Sequence, residues 1–115
     1  MKKVLEDLIF LGSYSEIIEF YGKKWELKTL SSGEQLEATS ATGNLDTFSR
    51  IYALKLEILG RALKSVDGIK LDDPKETLEA VRKMQPPVIN RLFEEYEKIQ
   101  VKQDDSLKDV EEIKN

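Results

Sequence analysis

The sequence predicts an α+β fold: a small helical domain with an N-terminal β-hairpin packed on a central helix. Three observations carry that prediction. The stretch Asp46 to Lys64, DTFSRIYALKLEILGRALK, has helical periodicity. Its apolar residues, from Phe48 to Leu63, fill an arc of about 200°, twice the stripe of about 100° that an ordinary surface helix needs. Such a helix asks for neighbours on two sides. Ser15 to Thr29 carries instead the alternation of a hairpin about a glycine. Asp72-Asp73-Pro74 and Gln85-Pro86-Pro87 then punctuate two further helices.

At the N-terminal end, Val4, Leu5, Leu8 and Ile9 share one side of a short helix over Lys2 to Leu11, which Gly12 ends. It reads as a packing helix or as an exposed arm that docks on a neighbouring subunit. The opening MKKVLEDLIFLG resembles a signal peptide, but Glu6 and Asp7 interrupt its apolar part and no small-residue cleavage site follows. A helix of a cytoplasmic protein is the expectation.

In the hairpin, Gly22-Lys23 suits a two-residue type II′ turn, which places Gly first. That register sets Phe20 opposite Trp25 and Ile18 opposite Leu27 on one apolar face, and Glu19 opposite Glu26 on the other. A lone hairpin is marginal in water, so its apolar face must cover something, and the central helix is the expected occupant. Ser31-Ser32-Gly33-Glu34 has the form of a capping box for a short helix, Gly33 to Ser40, that carries only Leu36 and Ala38 as apolar residues. Asn44 or Asp46 caps the central helix. Within that helix Lys55 sits inside the apolar arc, either snorkelling to water or paired, and Gly60 invites a close backbone approach.

Ser65 to Leu71 holds an Asp-Gly turn between short apolar runs: a second hairpin, or an edge strand added to the first. The next helix runs to about Met84 with Leu78 and Val81 inward. The Pro-Pro pair must break it. The final helix begins at Pro87 with Val88, Ile89, Leu92, Phe93, Tyr96 and Ile99 on one side. Residues 1–103 are thus expected to form a single α+β domain. Residues 104–115 are expected to be a polar, flexible C-terminal tail that orders on a partner, with Leu107, Val110 and Ile113 recurring every three residues.

The chemistry the sequence offers is narrow. The chain has 115 residues, a formal charge of −4, and neither cysteine nor histidine. Disulfides and thiolate chemistry are excluded, and the commonest general base and metal ligand are missing. There is no phosphate-binding GxxxxGK[ST], dinucleotide GxGxxG or GxSxG elbow. Paired carboxylates such as Glu94/Glu95 fall on polar helix faces or at helix starts. No catalytic residue, metal site or cofactor is expected. The acidic balance disfavours general binding to nucleic acid, and no run approaches the ~18 apolar residues of a membrane span.

One pattern goes beyond these arguments. The hairpin YGKKWELKTL is followed by an acidic GEQLEA helix, then by Arg50 and LKLEILGRAL, then SVDG, and finally QPPVINRLFEEYEKIQ. Over roughly residues 17–103 this resembles the tail assembly chaperone proteins of long-tailed bacteriophages. The resemblance implies a non-enzymatic protein of the host cytoplasm that binds the tape-measure protein while the tail tube assembles. It also implies oligomers, and in many relatives a longer form made by ribosomal frameshifting. The alternative is a structural virion subunit of the baseplate or head–tail junction. Phe93, Tyr96, Ile99, Leu107, Val110 and Ile113 form the candidate partner-binding set, although the first three read more readily as core. Self-association into a ring or filament is a second use of the same surface.

Overall fold

The computed structural model describes the backbone of residues 2–114 and the side chains of residues 2–109. The elements are α1 (Lys2–Phe10), β1 (Ser15–Phe20), β2 (Lys23–Lys28), α2 (Ser32–Ser40), α3 (Thr47–Ala62), β3 (Leu63–Val66), β4 (Ile69–Lys70), α4 (Pro74–Lys83) and α5 (Pro86–Lys114). The fold is α+β, with one antiparallel sheet in the order β1-β2-β3-β4.

The first hairpin turns one residue earlier than Gly22-Lys23. Tyr21 and Gly22 are the central pair, with φ of 51° and 73°, the positive values a type I′ turn requires. Phe20 therefore pairs with Lys23, Ile18 with Trp25, and Glu19 with Lys24. The shift of two in pairing preserves which residues share a face. It replaces the expected Glu19–Glu26 repulsion with a Glu19–Lys24 attraction across the strands. It also lets Phe20 and Trp25 stack diagonally, with ring centroids 5.1 Å apart, while the Trp25 indole N–H donates to the Phe20 carbonyl at 3.1 Å.

Leu63 and Lys64 belong to β3, not to the central helix. Leu63 takes an extended conformation directly after Ala62 and pairs with Leu27 across an irregularity in β2 at Glu26/Leu27. Asp67-Gly68, again with two positive φ values, forms the second hairpin. The Asp67 carboxylate accepts the Lys24 amide at 2.8 Å, and that amide holds its pKa below the ordinary value. The second hairpin is thereby tied to the first, and the two make one sheet.

Helix starts follow the local chemistry. The Ser31/Glu34 capping box opens α2, Asp46 caps α3, and Asp73 with Pro74 opens α4. The core joins Phe20, Trp25 and Leu27 of the sheet to Leu59 and Ala62 of α3, Val81 of α4, and Ile89, Leu92, Tyr96 and Ile99 of α5. The direct helical neighbour of the first hairpin is α5: Arg91 lies over the Phe20 ring at 4.8 Å, and Lys102 reaches Glu16 at 2.7 Å. The hairpin meets α3 through this shared core. No break falls at Gln103; α5 continues as helix through the segment expected to be a separate tail.

Candidate partner-binding surface

The C-terminal half of α3 is enclosed. Leu59, Gly60 and Ala62 are buried, and Glu57, also buried, accepts from Arg61 at 2.9 Å and Arg82 at 3.1 Å. Gly60 meets Leu78 of α4. The N-terminal half differs. Phe48 is 87% exposed, Ile51 56% and Tyr52 39%, and Leu45, just before the helix, is exposed too. Within α3, Phe48, Ile51 and Tyr52 are spaced three and four apart and form one stripe. Cover on two flanks therefore holds only beyond about Lys55, whose ammonium lies 5.3 Å from the centre of the Phe93 ring. The one polar group within the arc is thus satisfied by an aromatic face.

The helix α1 buries none of its residues. Val4, Leu5, Leu8, Ile9, Phe10 and Leu11 are each between 57% and 71% exposed. The helix is thus an exposed arm in the single chain and not a packing helix. Its root is held: the Gln103 side chain donates to the Gly12 carbonyl at 2.7 Å and to the Thr29 hydroxyl at 3.2 Å. Leu107 packs on Gly12, where positive φ and the lack of a Cβ admit it.

The residues expected to make partner contact separate. Tyr96 and Ile99 are core, 2% and 0% exposed, because α5 turns that side to the sheet and α3. Burial raises the Tyr96 hydroxyl pKa, and the charge of Glu34 adds to the effect. Phe93 is partly buried beneath Lys55. Leu107 is 40% exposed and packs against the root of the arm. The side chains of Val110 and Ile113 lie outside the described residues.

Sequence periodicity assigns Phe48, Ile51 and Tyr52 to the core and gives Leu45 no role, yet all four are surface. A signal was present in the neighbours. A 200° arc needs apolar residues to face it, and α2 offers only Leu36 and Ala38, of which Leu36 is itself exposed.

A mixed-charge groove of about 700 Å³ lies between β2, β3, α2 and the start of α4. Its cations are largely matched: Lys28 with Glu34 at 2.8 Å, Arg61 with Glu57, and Lys64 with Glu26 at 3.9 Å. Burial pushes the Glu34 pKa up, but hydrogen bonds from the Lys28 ammonium and the Ser31 amide outweigh it and hold the carboxyl below its usual value. Such a mixed lining offers a ligand no concentrated charge of one sign. Among the described residues no group of three or more acidic side chains is placed to hold a metal, and no helix is long and apolar enough to cross a membrane.

The chain matches no family model, no curated protein and no solved structure. The surface chemistry is what remains to read. Two apolar helical faces, one on α1 and one on α3, stand open on a body whose other large apolar groups are mostly enclosed. Apolar side chains at three- and four-residue spacing are able to interdigitate with those of another helix.

Proposed function

We propose that this protein is an assembly chaperone of a phage tail, which binds the tape-measure protein non-enzymatically in the host cytoplasm before and during tail-tube assembly. The observation that carries the reading is the open stripe Phe48/Ile51/Tyr52 on α3, with the apolar arm α1 as a second open face. A holdase for a long, apolar, helical client needs helical apolar surface with aromatic anchors and a charged surround. Phe48 and Tyr52 supply anchors, and Asp46 and Arg50 lie on the same turns. The motif pattern over residues 17–103 supports the tail assembly reading in particular.

Co-expression with the tape-measure protein of the same phage tests it. The tape measure is expected to remain soluble and to co-purify with this chain, and to lose both properties with the Phe48→Ser/Ile51→Ser variant. An insoluble tape measure and no complex in the presence of the wild-type chain overturn the reading. Mass spectrometry of purified particles tests the virion-subunit alternative. Stoichiometric protein in mature particles favours it, and its absence favours the chaperone.

A further inference from the structure

We propose that α1 of one copy packs along the open stripe of α3 of a second copy, so that two chains complete each other's cores reciprocally. The same two faces carry the client-binding reading above, so the dimer is the client-free form and a client helix displaces it. The stripe of α3 is continuous: positions 48, 52, 55, 59 and 62 follow one another at helical spacing. Its last two members are fully buried while Phe48 is the most exposed large apolar residue among those described. The core surface therefore runs bare for two turns at one end.

The arm fits that gap in length, chemistry and area. Its nine residues rise about 13.5 Å and the span of α3 from Thr47 to Lys55 about 12 Å, at 1.5 Å per residue. Val4, Leu5, Leu8, Ile9 and Leu11 fill an arc of about 160° with no charge inside it. At about 100 Å² per side chain, the area that matches the transfer energy of a large apolar group, these five and the three of α3 offer about 800 Å² per copy. A reciprocal contact then removes about 1,600 Å² from water, within the range of stable interfaces. A single chain rarely leaves two apolar helical faces of this kind open to water.

A second copy is the occupant because the arm leaves its own stripe uncovered: α1 buries none of its residues while Phe48 and Ile51 stay exposed. Leu78 meets Gly60 and Arg82 meets Glu57, so α4 runs antiparallel to α3 and α5 begins beside the middle of α3, where Phe93 meets Lys55. From there α5 carries the chain to Gln103, ten residues or about 15 Å further, where it fixes Gly12 at the root of α1. An isologous two-fold dimer satisfies both faces of both chains with one contact type.

Sedimentation velocity of the full chain is expected to give twice the 13.2 kDa chain mass, falling to the single mass on dilution. Leu5→Glu/Leu8→Glu and, separately, Phe48→Glu/Ile51→Glu are each expected to halve the mass while leaving the circular dichroism spectrum in place, since every altered side chain is exposed. The chain has no cysteine, so introduced thiols report uniquely. Mixed Leu8→Cys and Ile51→Cys chains are expected to cross-link to each other on mild oxidation more than either does to itself. A single-chain mass at every concentration, a dimer that survives either glutamate pair, or Leu8→Cys chains that link mainly to one another overturns the proposal.

Discussion

Gly60 of α3 lies directly against Leu78 of α4. A Cβ built on Gly60 would stand 2.9 Å from Leu78 Cδ1 and 3.1 Å from Leu78 Cα, so the two helices approach to backbone contact at this crossing. Alanine ordinarily gains about 1 kcal/mol over glycine inside a helix, but overfilling a packed contact costs about 1–3 kcal/mol. The backbone atom in the path decides the sign, because α4 as a whole must move to relieve it. Gly60→Ala is expected to lower stability by about 1 kcal/mol in urea unfolding. A stabilised variant would show that α4 yields freely.

Glu57 is buried and answers two arginines, Arg61 from its own helix and Arg82 from α4. Removing one partner of a fully buried pair costs about 3–5 kcal/mol. Arg82 is more than half exposed and Arg61 also reaches Glu37 at 3.6 Å, so water and a second carboxylate reduce that cost. Glu57→Gln is expected to lose about 2 kcal/mol. A double-mutant cycle with Arg61→Met is expected to recover about 1 kcal/mol of coupling, measured by the same unfolding.

The Glu34 carboxyl titrates below its usual value in the folded chain. A depressed carboxylate pKa contributes stability that is present above the unfolded value and is lost as pH falls through the folded one. The pair is partly exposed, so its contribution is under about 1 kcal/mol. Glu34→Gln is therefore expected to lower the melting temperature slightly at pH 7. The gap from wild type is expected to close as the pH drops below the ordinary glutamate value of 4.5. A gap independent of pH would assign the loss to the cap geometry and not to the charge.

Two members of one apolar row on α5 are expected to behave differently. Ile99 is fully buried, and Ile99→Ala is expected to cost about 2–5 kcal/mol. Leu107 is partly exposed against Gly12, and Leu107→Ala is expected to cost less than about 1 kcal/mol. It is also expected to increase hydrogen exchange at the root of α1. Equal losses at the two sites would mean that the end of α5 belongs to the cooperative core.

Elements whose cause lies within a few residues are legible in the amino-acid sequence alone. The capping box at Ser31/Glu34, the Asp-Pro start of α4, the Pro-Pro break before α5 and the Asp67-Gly68 turn each rest on chemistry completed by adjacent side chains and backbone. The apolar face of the first hairpin is also legible, because alternation survives a register change of two. The choice of Tyr21-Gly22 over Gly22-Lys23 is not, since both pairs admit a tight turn. Stacking of Phe20 on Trp25 and the pairing of Glu19 with Lys24 distinguish them, and both depend on the partner strand.

Periodicity shows that one side of a helix is apolar; it does not show whether anything faces that side. Phe48 and Leu59 lie on the same stripe of α3, yet α4, α5 and the sheet converge only on its C-terminal half. Tyr96 and Ile99 are enclosed for the same reason that Val4 and Leu8 are not. The path of α5 brings the former onto the sheet, while Gln103 pins the root of α1 at Gly12 and leaves that helix clear of the body. Amphipathic character is written into each segment, but burial is a property of pairs of segments, and it is settled only when the chain brings them together.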